Sequence, residues 1–315
     1  MTDTKKRIFG KATRDAYGET LVELGRENPN IVVLDADLSK STKTCMFQAA
    51  YPDRFINVGI QEANLVGVAS GLAACGKIPF ISSFASFLVC KGYDQMRMAV
   101  AFSELNVKMV ASHGGISVGE DGASQMSIED IALMATLPGV AVINPADELS
   151  GRALIRATAE HNGPVYVRTG RPKAPVVYTE KRKFEIGKGV LVREGKDLTI
   201  VANGLLVAEA LDAAEILATQ GIQAGVIDMH TVKPLDHALL LQEAKKTGKM
   251  VVCEEHSIWG GLCAAVSTYL SSVHPCKMAY VAIQDTYAES ATPDELLDKY
   301  GMRAVDVVNA AKKLL

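Results

Sequence analysis

The stretch Phe55–Gly76, FINVGIQEANLVGVASGLAACG, limits what this chain can become more than any other part of it. Between Arg54 and Lys77 its only charged residue is Glu62. The apolar run Phe55–Ile60 predicts a buried strand. Gln61–Ala74, small and apolar on nearly every face, predicts a buried helix. Three, four, seven and eleven residues beyond Glu62 stand Leu65, Val66, Ala69 and Ala73, one stripe of such a helix. The carboxylate is therefore expected to face the interior, where burial favours its protonated form unless a partner stabilises the charge. The ordinary alternative is an acid in the first helical turn, favoured there by the helix dipole. Asn57, Gln61, Glu62, Asn64 and four glycines argue against a membrane span.

Around this stretch, apolar runs alternate with helical patterns, which predicts α/β architecture with mostly parallel sheets covered on both faces. Thr13–Glu27 reads as a helix, and Ile31–Leu34 as a strand running into Asp35-Ala36-Asp37. Ile78–Ile81, Val107–Ala111, Val140–Ile143 and Val165–Arg168 read as strands, Phe87–Ser103 and Ile128–Thr136 as helices. Asn144-Pro145-Ala146-Asp147 is a turn and cap. Thr169–Lys183, with Pro172, Pro175 and a charged end, has the composition of a linker. A second, smaller unit follows, opening with a hairpin-like pair at Gly187–Val192 and Leu198–Ala202. The expected division is a first doubly wound domain over residues 1–170, a linker over 171–184 and a second domain over 185–315.

A length of 315 residues suits two domains, and 48% hydrophobic with 22% charged residues is an ordinary soluble composition. A net charge of -3 gives no reason to expect nucleic acid or an anionic membrane as partner. The start, MTDTKKRIFG, is basic without an apolar segment, unlike a secretory signal. Six cysteines form no C-x-x-C pair and lie mostly in apolar runs, which reads as buried free thiols in a reduced, cytoplasmic protein.

Ligands of open α/β sheets bind beyond the carboxyl ends of the strands. Asp37, Glu62, His113 and Arg171 fall there by position. Each also has an ordinary reading. Asp37, in DADLSKST, suits a turn cap, and Arg171, in RTGRP, a solvated loop. His113, ahead of two glycines, suits a satisfied structural group as readily as a catalytic one. Phe84 and Phe87 are spaced as core aromatics of a helix. No G-x-G-x-x-G follows the first strand, which excludes a plain dinucleotide binder.

Four segments carry a resemblance: DADLSKST, DRFINVGIQEANLVGVASGLA, SHGGISVGEDGASQMSIEDIA and YVRTGRP. With the strand-turn TVKPLD, they resemble the second half of the transketolase family, its pyrimidine-binding and C-terminal domains, over nearly the whole chain. The resemblance implies thiamine diphosphate as cofactor, with Glu62 hydrogen-bonded to the aminopyrimidine. That bond favours the imino form, which removes the thiazolium proton. It also implies that Phe84 and Phe87 line the pyrimidine slot and that Asp37 fixes the cofactor near the thiazolium. His113 would bond the sugar hydroxyls near the reacting carbon, and Asp121 the donor hydroxyl beside the carbonyl. Gln125 takes a neighbouring hydrogen-bonding place, where most microbial and plant relatives have histidine. Arg14, Ser41 and Arg171 match the positions that grip a terminal phosphate, and two guanidiniums with a hydroxyl suit a phosphate dianion.

The family holds its magnesium diphosphate through a Gly-Asp-Gly motif followed by an asparagine. Glu120-Asp121-Gly122 with Asn144 lacks the first glycine and ends in an Asn-Pro turn, and no other Gly-Asp-Gly occurs. The resemblance thus implies a C-terminal subunit of a split transketolase. A separate N-terminal subunit would carry the diphosphate and Mg2+, in an α2β2 assembly. The reaction would pass a two-carbon ketol unit from a ketose phosphate to an aldose phosphate, as in the pentose phosphate pathway. The alternatives are a beta subunit of a 2-oxo acid dehydrogenase, a 1-deoxyxylulose-phosphate-synthase-like half, and a non-catalytic subunit kept for assembly. His230, Glu254, Glu255 and His256 read as structural or interfacial.

Overall fold

A computed structural model describes residues 7–315, and most of the basic start lies outside the described residues. Among them twelve strands form. The first six are β1 (Ile31–Asp35), β2 (Phe55–Asn57), β3 (Ile78–Ser82), β4 (Lys108–Ala111), β5 (Ala141–Ile143) and β6 (Val165–Arg168). The others are β7 (Val190–Arg193), β8 (Leu198–Ala202), β9 (Ala224–Asp228), β10 (Thr231–Lys233), β11 (Lys249–Ser257) and β12 (Lys277–Ile283). One sheet has the order β10-β5-β6-β4-β3-β1-β2 and the other β12-β11-β8-β9-β7. Only β10 and β7, each at an edge, run antiparallel to their neighbours. Helices cover both faces, so the central strands are continuous apolar runs rather than alternating ones; every residue of β1 and β8 is buried.

The two sheets share their packing. One apolar cluster runs from Leu34 and Ile81 through Met134 and Val142 to Met229 and Val252 of the second sheet. Strand β10 comes from the sequence after the linker yet pairs with β5 of the first sheet, so TVKPLD is a cross-domain tie. Residues 169–183 form no long element. They return along the amino-terminal segment through Gly10 N–H to Ala174 O at 2.9 Å and Val176 N–H to Ile8 O at 2.9 Å.

Several expectations need correction. Strand β2 ends at Asn57 and lies at a sheet edge, so Ile56 and Ile60 are exposed instead of buried. The helix that follows, Glu62–Ala74, buries one face only. Leu65, Val66, Ala69 and Ser70 are inside, Ala73 is half-buried, and Asn64, Gly67 and Gly71 lie open. Small residues satisfy an exposed face as well as a close-packed one, and composition alone does not separate the two. Strands β7 and β8 do not pair as a hairpin: β7 lies antiparallel on β9, and β8 is central between β9 and β11. The helix at Ala85–Gln95 begins two residues earlier than expected and continues as a π-helical turn over Met96–Ala101. Only Cys253 and Cys263 of the six cysteines are buried; all six are free thiols.

Candidate active site

Strands β2, β1, β3, β4 and β6 are parallel neighbours in the sheet, so the loops leaving their carboxyl ends share one rim. Glu62 opens the helix after β2 and is 2% exposed. Its Oε1 accepts a hydrogen bond from Ser83 Oγ at 2.9 Å, in the loop after β3. Among the described residues no donor reaches its Oε2; the nearest cation, Lys91 Nζ, stands 3.9 Å away. Lys91 lies over the Phe87 ring, 4.6 Å from its centroid. Phe87 stacks on Phe84 at 5.5 Å, and Phe84 on the His113 imidazole at 3.8 Å. This arrangement follows from the fold, because Phe84 caps the helix Ala85–Gln95 and Phe87 lies one turn on, while His113 leaves β4 beside it.

His113 adopts a left-handed backbone, φ 61°, which only a firmly held non-glycine residue keeps. Its Nε2 lies 3.3 Å from Arg14 Nη1 and its Nδ1 lies 2.8 Å from Ser112 Oγ. A guanidinium can only donate, so Nε2 is the acceptor and the ring proton belongs on Nδ1. Burial, then the positive charges of Arg14, Arg171 and Lys43, push the His113 pKa down to about 3. The ring is neutral at neutral pH.

Arg14 also donates to the Ser41 carbonyl at 3.0 Å, so Ser41 meets it through backbone rather than hydroxyl. Arg14 Nε is buried without a partner. Burial is the main cause lowering the Arg14 pKa; Arg171 adds to it, and Asp15 and Asp121 oppose it. Arg171 is not the free loop arginine its sequence context suggests. It pairs with Glu120 at 2.7 Å and donates to the Val118 carbonyl. Lys43 pairs with Asp15 at 3.2 Å.

The rim therefore joins Glu62, Lys91, Phe87, Phe84, His113, Arg14 and Ser41 in one line of neighbours, with Arg171 and Asp121 within reach of its charges. Asp37 lies to one side, exposed, with φ 67° and its Oδ1 bonded by Asn57 Nδ2 at 2.8 Å. Gln125 lies at the start of the helix Ala85–Gln95, where Ser86 Oγ donates to its carbonyl at 3.1 Å and Ser124 Oγ to its Oε1 at 2.5 Å. Asn144, in the rejected motif, bonds Asn203 of the second domain at 3.2 Å. Sequence reasoning missed Ser83, Lys91 and Lys43. Lys91 had a usable signal, standing four residues after Phe87 on a helix, whereas nothing marks Ser83 within its serine pair.

Two clefts lie elsewhere on the surface. One of about 670 Å³ is lined by Tyr93, Met98 and Phe102, and another of about 580 Å³ by Lys233, His237 and Tyr269. Neither holds a comparable set of convergent polar groups. Among the described residues no cluster of His, Cys, Asp and Glu could hold a metal ion, and no helix is long and apolar enough to cross a membrane.

The depressed His113 pKa fixes a pH dependence. Between about 3 and the ordinary 6.5, the unfolded chain binds a proton that the folded chain refuses. Stability is therefore lost as pH falls from 6.5 toward 3, and this contribution is complete above 6.5. The denaturant midpoint is expected to fall between pH 7 and pH 5, and to fall less in His113→Gln. An equal fall in both proteins would contradict the assignment.

Comparison with known proteins identifies the family. The transketolase pyrimidine-binding domain model matches residues 10–176, and the transketolase C-terminal domain model matches residues 187–307. The chain belongs to the transketolase family. Its pyrimidine-binding part contains the rim, and its C-terminal part contains the second sheet. A Methanocaldococcus jannaschii protein, provisionally described as a transketolase C-terminal section, is 46% identical over 97% of this chain and 96% of its own length. A 6-deoxy-6-sulfo-D-fructose transketolase subunit of Clostridium sp. (strain MSTE9) is 43% identical over 96% of this chain and 94% of its own. A solved split gene transketolase, an inactive beta4 tetramer, superimposes with a TM-score of 0.91 at 50% identity, over 97% of this chain and 99% of that one. Human transketolase is 36% identical over 96% of this chain, which corresponds to 49% of the human protein.

Proposed function

We propose that this transketolase-family chain is the C-terminal subunit of a split, thiamine-diphosphate-dependent transketolase that moves a two-carbon ketol unit between sugar phosphates. The observation that carries this reading is the line of neighbours from Glu62 through Lys91, Phe87, Phe84 and His113 to Arg14. The donor set fits the cofactor. A buried carboxylate with one oxygen free of donors lies near a stacked pair of rings, which suits a flat heteroaromatic ring with an N–H to share. When bound, thiamine diphosphate supplies a carbon acid that becomes the nucleophile toward the donor carbonyl.

Each residue then has a task. Glu62, held by Ser83, shares a proton with the pyrimidine nitrogen, and Phe84 and Phe87 orient the ring. His113, neutral and fixed by Ser112, offers Nε2 to a sugar hydroxyl when Arg14 turns to substrate. Asp121 and Gln125 recognise the neighbouring hydroxyls, and Asp37 borders the thiazolium. Arg14 and Arg171 bind the terminal phosphate beside Ser41, since two guanidiniums and an ammonium gathered around a neutral imidazole make an anion site. Residues 1–170 would serve the pyrimidine and 185–315 the C-terminal role. The diphosphate and its Mg2+ are assigned to a separate N-terminal subunit, because this sequence contains no Gly-Asp-Gly. An α2β2 assembly in the cytoplasm completes the reading. A 2-oxo acid dehydrogenase has little use for the paired arginines.

Arg14→Ala and Arg171→Ala test the phosphate role in the two-chain enzyme. Losing a charged hydrogen bond costs on the order of 2 kcal/mol, so KM for a phosphorylated ketose is expected to rise by roughly 30-fold, with KM for its unphosphorylated counterpart little changed. Equal shifts for both sugars would remove the phosphate assignment. One relative is named for a sulfonated ketose, and the same two guanidiniums suit that anion too, so the sulfonated sugar belongs in the comparison.

A further inference from the structure

Glu255 is a buried carboxylate that the proposed reaction does not use. It lies near the end of β11 in the second domain, yet its Oε1 accepts the backbone N–H of Ser117 at 2.5 Å, in the loop that leaves His113. A methyl group added at Gly115, whose φ is 84°, would stand 2.3 Å from that same oxygen. On the loop's other flank, a methyl at Gly114 would stand 2.1 Å from Arg168 Nε. Arg168 donates to the Glu255 carbonyl at 2.7 Å and to the Ser127 carbonyl at 2.6 Å, and Ser127 O also accepts Gly115 N–H at 2.7 Å. The two residues that follow His113 are thus clamped between the first sheet and the C-terminal domain, with no space for a side chain.

We propose that Glu255 is a positioning residue, through which the C-terminal domain holds the His113 loop and sets where His113 meets the sugar. The inference rests on the reading of His113 as a sugar-binding group. His113 can keep its left-handed backbone, its stacking on Phe84 and its contact with Arg14 only if the chain beyond it is fixed, and Glu255 fixes it from outside the domain. Shortening that side chain by one methylene draws the acceptor back by more than an ångström. A misplacement of that size at a reacting group costs on the order of 10²-fold in rate.

The test is Glu255→Asp in the assembled two-chain enzyme, with His256→Ala as control. His256 is buried on the same strand at the same domain interface but accepts from Ala132 N–H at 3.3 Å, away from the loop. Glu255→Asp is expected to lower kcat on the order of 10²-fold. His256→Ala is expected to lower the thermal midpoint while keeping kcat. Glu255→Gln retains the accepting oxygen and is expected to restore most of the activity. A second readout needs no turnover: the His113 imidazole, assigned by its loss in His113→Gln, is followed by NMR in the full chain. Burial holds its pKa far below the ordinary 6.5 in the native protein, and Glu255→Asp is expected to move it up toward that value as water reaches the ring. Native kcat in Glu255→Asp, an unmoved His113 titration, or equal losses in Glu255→Asp and His256→Ala would each overturn the inference. Failure of the underlying reading looks different, since it leaves ketol transfer intact in His113→Gln.

Discussion

Glu62→Ala is expected to reduce ketol transfer by the assembled enzyme between about 10²- and 10⁴-fold, the range a positioned acid–base group contributes. The fold is expected to survive. The carboxylate makes one hydrogen bond, to Ser83, so its removal leaves one buried hydroxyl without a partner, a cost of about 1 kcal/mol. Lys91 loses a partner 3.9 Å away, but it is more than half exposed and solvent compensates it. Glu62→Gln sharpens the test. It keeps the shape and the Ser83 bond but cannot share a proton as the acid does, so its activity is expected to fall nearly as far as that of the alanine variant. Turnover numbers set beside thermal midpoints decide the matter. Near-native turnover in Glu62→Gln would refute the acid–base role, and a collapsed midpoint would mean that Glu62 is structural.

The largest effect on stability is expected from Arg168→Ala. Arg168 is 3% exposed and pairs with fully buried Asp130 at 2.8 Å. Asp130 also accepts the Tyr166 hydroxyl at 2.6 Å, and Arg168 supports the Ser127 and Glu255 carbonyls. Removing one partner strands a buried charge, which costs about 3–5 kcal/mol, or roughly 5–8 °C in the melting midpoint of a chain this size. Arg168→Met with Asp130→Leu removes both charges and is expected to recover part of that loss. Calorimetry on the single and double variants checks both values. A single variant as stable as the native chain would mean the pair lies in a wetter place than its burial indicates.

Much of this architecture was legible because parallel strands buried on both faces must be continuous apolar runs. Ile31–Leu34 and Val165–Arg168 announced themselves in that way. The misreadings share a cause, which is that sequence periodicity reports local shape and not what lies opposite. Gly187–Val192 and Leu198–Ala202 look like a hairpin, but β7 finds a better partner in β9, and β8 is taken up by two parallel neighbours. Thr231–Lys233 is too short to signal that it crosses to the other sheet. At the rim, residue types and strand ends placed Glu62, His113 and Arg171 near one another in advance. The partners that determine their chemistry come from distant segments: Ser83 lies 21 residues from Glu62, Arg14 99 residues from His113, and Glu255 138 residues from Ser117. No spacing rule reaches across such separations.

The most direct measurement is ketol transfer from xylulose 5-phosphate to ribose 5-phosphate with thiamine diphosphate and magnesium. It is made with this chain alone, then with the chain encoded beside it. The account predicts no transfer by the single chain and robust transfer by the mixture. Transfer by this chain alone would contradict the assignment of the diphosphate to a partner. A mixture that leaves the sugars untouched but decarboxylates a 2-oxo acid would contradict the ketol-transfer function itself.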